Sequence, residues 1–107
     1  MRKASFAAAL WLILGAMAPS LADQPRTHTV IMENMRFQPE VLAVAPGDTV
    51  VWLNKDLVPH TATSEAGGFD SSAIMASESW SYTVRKNGDF AYICTFHPTM
   101  KGRLRVQ

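Results

Sequence analysis

Near its C-terminus the chain runs Phe90-Ala91-Tyr92-Ile93-Cys94-Thr95-Phe96-His97-Pro98-Thr99-Met100. In the first part of this stretch Phe90, Tyr92 and Cys94 alternate with two other apolar residues, which is the two-residue period of a β-strand. The next strand is expected to start near Gly102. The residues after Cys94 therefore form a loop whose two ends lie on neighbouring strands, and side chains on such a loop can converge on one point.

The side chains on this loop have a distinctive chemistry. Cys94 is the only cysteine of the chain, and His97 and Met100 follow it at intervals of three residues. A second imidazole is available from His60, in Val58-Pro59-His60-Thr61. Two imidazoles and a thiolate with a weak axial thioether are the ligands of blue-copper electron-transfer sites. Zinc sites more often use several cysteines, or histidines with a carboxylate, so the methionine favours copper over zinc.

Each of these residues also has an ordinary structural interpretation. A single buried cysteine usually behaves as a small apolar side chain, and Met100 alone would be a core residue. His60 alone would be a hydrogen-bonded loop residue, and the third histidine, His28, is expected to be structural because it begins a strand. The copper hypothesis depends on the joint occurrence of the four donors.

Several short strands with turns between them are expected along the rest of the chain. Residues such as Ala45-Pro46-Gly47-Asp48 and Asn87-Gly88 are typical of tight turns. No internal repeat or long helical period is present, which predicts an all-β antiparallel sandwich or small barrel. Residues 36–40 are interpreted as a turn, and residues 64–78 remain open between a loop, a short edge strand and a helical turn. Strands are expected at His28 to Met32, Val41 to Val44, Thr49 to Asn54, Ser79 to Val84, Phe90 to Cys94 and Gly102 to Gln107.

The N-terminus has the pattern of a secretory signal peptide, residues 1–22. Arg2 and Lys3 precede an apolar run, and Ser20-Leu21-Ala22 offers small residues for cleavage. A membrane anchor is the alternative, but the apolar run is shorter than the ~20 residues that span a bilayer. Residues 23–107 would then be one periplasmic domain with no membrane insertion.

The charge of the chain argues against a nucleic-acid partner, and its single cysteine rules out stabilisation by an internal disulfide. Removing residues 1–22 turns the net charge of +1 into a small negative charge, and no basic run suggests a nucleic-acid partner. A single cysteine allows no internal disulfide, so a bound metal would both occupy the thiol and stabilise the small domain.

The chain resembles the plastocyanin/azurin-type cupredoxins, and among them the amicyanin-like blue copper proteins. The stretches that carry the resemblance cover most of residues 29–107. They are Phe37-Gln38-Pro39-Glu40, Val44 to Asp56, Pro59-His60-Thr61, Gly88 to Cys94 and Met100-Lys101-Gly102. The two residues between cysteine and histidine, and the two between histidine and methionine, match the amicyanin-like spacing, whereas plastocyanins have a longer second gap.

The resemblance implies a Greek-key β-sandwich of about seven or eight strands with copper at one end. It implies His60, Cys94 and His97 as equatorial ligands and Met100 as the axial ligand. It also implies that electrons pass through the exposed edge of the His97 ring. The apolar surround for docking would come from Met35, Val58, Pro59, Met75, Pro98 and Phe96.

One position departs from the family pattern. Many cupredoxins have an asparagine directly after the first histidine ligand, where it ties the two ligand loops together near the cysteine sulfur. Thr61 occupies that position here, and a hydroxyl offers fewer hydrogen bonds than an amide. We expect a weaker tie between the loops and a shifted reduction potential, with Asn54 as a further loop-bracing residue.

The function expected from these observations is that of a monomeric periplasmic one-electron carrier, cycling between Cu(I) and Cu(II). Redox partners would include a dehydrogenase such as methylamine dehydrogenase, or a c-type cytochrome, as the resemblance implies. A copper-binding module for storage or delivery is the alternative. An enzyme is not expected, because four protein ligands leave no open position on the metal and three histidines leave none for a second site.

Overall fold

The computed structural model describes Gly15 and residues 24–107, so the predicted signal peptide lies outside the described residues apart from Gly15. Among those residues there is no helix with the length and apolar character needed to cross a membrane. The described part of the chain forms nine strands. They are β1 (Thr27–Glu33), β2 (Arg36–Gln38), β3 (Val41–Val44), β4 (Thr49–Asn54), β5 (Thr63–Ser64), β6 (Phe69–Asp70), β7 (Ser79–Thr83), β8 (Gly88–Cys94) and β9 (His97–Val106).

The strands form two sheets that pack face to face. The first sheet has the order β2-β1-β4-β7, and the second has the order β3-β9-β8-β5-β6. In β4, alternate residues are buried, so that Val50, Trp52 and Asn54 face the interior. Trp52 meets Tyr92 of the second sheet at 5.5 Å between ring centroids, in an edge-to-face arrangement. The predicted Greek-key β-sandwich is confirmed.

Two strand pairs differ from the antiparallel arrangement expected from the sequence. β1 runs parallel to β4, and β3 runs parallel to β9. Both pairs join strands that are not consecutive, and parallel pairing requires such crossovers. Because β1 and β4 are parallel, the residues that follow both strands emerge at the same end of the sandwich.

The structure also has more strands than expected. Arg36–Gln38, interpreted as part of a turn, forms β2 and pairs antiparallel with β1. The uncertain stretch 64–78 contains the short β6, which pairs with β5. The last strand begins at His97, not near Gly102. A shift in register after Ile93 lets Pro98 to Met100 bulge out between the paired positions.

Candidate metal centre

Two of the predicted donors, His60 and Cys94, meet at one end of the sandwich. Cys94 is the last residue of β8, and Asn54 is the last residue of β4. His60 lies on the connection after β4, where its backbone forms an isolated bridge with Ile74. Because β4 and β8 lie in opposite sheets, the two loops that leave them close over the same edge of the core.

His60 and Cys94 are in direct contact and both are fully buried. The His60 Nδ1 atom lies 3.7 Å from the Cys94 Sγ atom. Neither residue has measurable exposure to solvent. The backbone N–H of Thr61 donates a hydrogen bond to the same sulfur at 3.3 Å. The sulfur therefore acts as a hydrogen-bond acceptor, as a thiolate would.

A carboxylate fixes the orientation of the His60 ring. The Asp56 Oδ2 atom lies 2.7 Å from His60 Nε2. Burial is the largest influence on the Asp56 pKa and raises it, but hydrogen bonds from His60, Met35 and Asn34 together outweigh it and lower the pKa. An ionised carboxylate only accepts hydrogen bonds, so Nε2 carries the proton. In the neutral ring, Nδ1 then presents its lone pair to the sulfur.

This arrangement fits a soft metal ion. Sulfur and nitrogen ligands lie about 2.3 Å and about 2.0 Å from an ion such as zinc, so two of them in a trigonal site are about 3.8 Å apart. The observed separation of 3.7 Å between Sγ and Nδ1 is close to that value. Two electron-pair donors that face each other in a dry interior are also mutually unfavourable unless a proton or a cation lies between them.

Thr61 ties the loop of His60 to the loop of Cys94. Its hydroxyl oxygen accepts a hydrogen bond from the Thr95 N–H at 2.8 Å and lies 3.1 Å from the Thr95 hydroxyl. Thr63 donates a further hydrogen bond to the Thr61 oxygen at 3.0 Å. One hydroxyl thus collects several partners across the two loops.

Asn54 braces the loop that carries His60. Its side-chain amide donates hydrogen bonds of 2.9 Å to the carbonyl oxygens of Val58 and Ile74. Its carbonyl oxygen accepts the Asp56 N–H at 2.8 Å. A fully buried asparagine at the end of β4 therefore holds both sides of the loop on which His60 lies.

The His97 ring lies near the His60 ring, and Met100 is part of the buried core. The His97 ring centroid is 5.4 Å from that of His60, at a steep angle, and the residue is half-buried. Met100 is buried in the same cluster as Cys94. Within residues 24–107, no three His, Cys, Asp or Glu side chains alone are grouped closely enough to hold a metal ion. The structure thus brings His60 and Cys94 into contact, places the His97 ring near the His60 ring and buries Met100 in the core.

Six exposed or half-buried apolar residues lie beside the proposed donors in the chain or beside residues that contact His60, and we call them the apolar rim: Met35, Val58, Pro59, Met75, Phe96 and Pro98. Met35, Val58, Met75 and Phe96 are each between 40% and 51% exposed. Pro59 is half-buried and Pro98 is exposed. Leu57, which the sequence did not suggest, is 94% exposed and precedes Val58.

Asp56 is the other residue that sequence reasoning missed. The signal that could have identified it is its position four residues before His60, on the same loop.

His28, by contrast, lies away from these residues at the other end of the sandwich. Its Nε2 atom is 2.9 Å from Asp48 Oδ2, in agreement with a structural role.

Comparison with known proteins agrees with this architecture. Residues 5–106 match the family model of the cupredoxin-like domain. Amicyanin-alpha of Methylorubrum extorquens is 31% identical over 110 residues, covering 97% of this chain and 92% of that protein.

Two solved structures extend the comparison. A reduced amicyanin variant superposes with a TM-score of 0.70 at 29% identity, covering 76% of this chain and 82% of that one. A copper-containing nitrite reductase from Thermus scotoductus superposes with a TM-score of 0.72 at 32% identity. In that case the match covers 78% of this chain but only 23% of the reductase. The family match, the amicyanin relative and the two-sheet sandwich lead to one conclusion: the chain belongs to the cupredoxin-like family.

Proposed function

We propose that this protein is a periplasmic blue copper protein that carries single electrons between redox partners. One copper ion would be held by His60, Cys94 and His97, with Met100 as a weak axial ligand. The observation that carries the proposal is the buried contact between Cys94 Sγ and His60 Nδ1, which are 3.7 Å apart.

The hydrogen bonds around the site would keep the positions of the donor atoms nearly the same in both oxidation states of copper. Thr61 and Asn54 tie the two ligand loops to each other and to β4. Burial of His60 and Cys94 keeps water away from the donors. Copper would supply a one-electron couple that these mixed soft and nitrogen donors accommodate in both states. Rigid donors limit the reorganisation that accompanies each transfer.

The apolar rim is the proposed docking surface for redox partners. Phe96 and Pro98 of the rim flank His97 in the chain, and exposed apolar side chains favour brief association through a small interface. Partners of this kind would be dehydrogenases or cytochromes, as for amicyanin-like proteins. A carrier role, and not an enzyme, follows from four protein donors around one ion, which leave no position for a substrate.

The test is to produce the full chain, purify the secreted protein and add one equivalent of Cu(II). An intense visible band from sulfur-to-copper charge transfer and a reversible one-electron wave are expected. The Cys94→Ser variant removes the thiolate while keeping a similar volume, and it should give no such band. Thr99→Ser, at an exposed position of the same loop, is the matched control and should keep the band.

Three outcomes would contradict the proposal. A colourless copper complex would show that the thiolate is not a ligand, and tighter retention of Zn(II) than of copper would point to a structural metal. Rapid release of copper to a chelator, without reversible redox, would favour storage or delivery in place of electron transfer.

A further inference from the structure

Asp56 makes contacts that connect the candidate metal centre to the surface of the protein. One carboxylate oxygen, Oδ1, accepts the Asn34 N–H at 2.8 Å. The other, Oδ2, accepts the Met35 N–H at 3.0 Å and lies 2.7 Å from His60 Nε2. Three donors from two separate segments thus converge on one side chain, which is only 16% exposed.

The backbone donors fix the carboxylate independently of the histidine. Asn34 and Met35 form the tight turn between β1 and β2, with φ angles of 55° and 60°. Positive φ is uncommon for a residue such as Met, and the two hydrogen bonds to Asp56 offset that cost. A carboxylate anchored in this way gives the His60 ring a fixed partner.

The His60 ring in turn has few ways to rotate. Its Nε2 side is directed to Asp56, its Nδ1 side is directed to Cys94, and its side chain has no exposure to solvent. Turning the ring over would bring a carbon atom to the carboxylate and leave a buried charge without one of its three donors, which is costly. The contacts therefore select both the ring orientation and the tautomer.

We propose that Asp56 is a positioning residue of the metal centre, which holds His60 with Nδ1 toward Cys94 and whose negative charge favours the oxidised site. This inference rests on the proposed copper function. Oxidation by one electron adds one positive charge on the far side of the ring. A fixed negative charge next to Nε2 stabilises that state more than the reduced one.

The substitution Asp56→Asn removes the charge and keeps one of the two accepting oxygens, while its amide nitrogen replaces the oxygen that accepts the Asn34 N–H. The amide keeps an oxygen that can accept the Nε2–H of His60, but it carries no charge. The reduction potential measured by voltammetry should rise. A change in the ratio of Cu(I) to Cu(II) affinity of about tenfold is typical for loss of such a partner and corresponds to about 59 mV for one electron. Asp89→Asn, a half-exposed carboxylate at the other end of β8, should leave the potential unchanged.

A second measurement tests the orientation without copper. In the metal-free protein, at a pH at which the His60 ring is neutral, nitrogen NMR should show its single proton on Nε2. In Asp56→Leu, which keeps the branched shape but offers no acceptor, we expect a mixture of tautomers and a ring that exchanges between orientations.

The results distinguish failure of this inference from failure of the copper hypothesis. A copper-loaded Asp56→Asn protein with the wild-type potential would overturn the role of the charge. A wild-type ring protonated on Nδ1 would overturn the positioning role. If the wild-type protein gives no blue copper complex, the proposed function fails, and the inference about the charge of Asp56 fails with it. The tautomer measurement on the metal-free protein still decides whether Asp56 positions the His60 ring.

Discussion

Asp48 is held by hydrogen bonds at the end of the sandwich away from Cys94. Its oxygens accept the N–H groups of Arg26 at 2.9 Å and Ala45 at 3.0 Å, and Oδ2 lies 2.9 Å from His28 Nε2. The hydrogen bond from Ala45, followed by those from Arg26 and His28, lowers the pKa of Asp48 from 3.8 to about 2. The ionised form is therefore stabilised by folding.

Because the pKa of Asp48 is depressed in the folded state, we expect the free energy of unfolding to depend on pH. The contribution of this carboxylate is present above the unfolded pKa of 3.8 and is lost as pH falls through about 2. Asp48→Asn should destabilise the protein at neutral pH by about 2 kcal/mol, the usual loss for a hydrogen-bonded charge. Urea unfolding should show the difference from wild type shrinking below about pH 4. A difference that stays constant down to the folded pKa would contradict the prediction.

We expect the Thr61 hydroxyl to contribute separately to the stability of the fold, at the other end of the molecule. Thr61→Val keeps the side-chain shape but leaves the Thr95 N–H without its acceptor. Unfolding experiments should show a loss of about 1–3 kcal/mol, the cost of stranding such a donor. Thr29→Val, the same change at an exposed position of β1, should change stability by less than about 0.5 kcal/mol. Equal effects of the two variants would mean that the tie between the loops contributes nothing.

At the scale of residues, the sequence revealed donor chemistry but not the environment of the donors. Which side chains can bind copper is a property of residue type, so Cys94, His60, His97 and Met100 could be named in advance. Which acidic residue faces His60 depends on the path of the loop after β4. Asp56 is one of nine acidic residues, and its place four residues before His60 was the only sequence signal that set it apart.

At the scale of elements, Asn54 joins β4 to the two segments that frame His60. Asn54→Asp keeps the acceptor for the Asp56 N–H but removes the donors to the carbonyl oxygens of Val58 and Ile74. It also buries an acidic group, so we expect stability to fall by about 2–4 kcal/mol. The His60 amide, which donates to Ile74, should exchange its hydrogen faster.

Asn87→Asp is the matched control for that prediction, since Asn87 is exposed in the turn before β8. It should leave both stability and the exchange of the His60 amide close to wild type. If Asn54→Asp lowered stability but left exchange around His60 unchanged, the bracing role would be wrong and only the burial of charge would remain.

The strands show where sequence reasoning works and where it stops. β3 and β4 have the predicted bounds, because β-branched and apolar runs between turn residues identify a strand locally. The parallel pairs were not foreseen, because strand partners depend on contacts distant in sequence. Gly102 is a similar case: a Cβ atom there would overlap the Tyr92 ring, a constraint that exists only once β8 and β9 pair.

At the scale of the whole molecule, the domain has little to stabilise it beyond its two-sheet core. A single cysteine leaves it without internal disulfides, and a small domain buries a limited share of its surface. Three of the proposed ligands come from β8 and β9 of the second sheet, and His60 comes from the connection that follows β4 of the first. A ligand that binds only the folded state stabilises it by mass action, so copper should act as a cross-link between the sheets.

We therefore expect copper to raise the melting temperature of the protein. A free concentration of a thousand times the dissociation constant corresponds to about 4 kcal/mol of added stability. Calorimetry with and without one equivalent of Cu(I) measures the shift, and removal of the metal with a chelator should reverse it. Cys94→Ser should abolish the shift, while Asp89→Asn, on the exposed end of β8, should retain it. Bound copper that leaves the melting temperature unchanged would mean that the ion binds the unfolded chain equally well, and that the two loops do not share it.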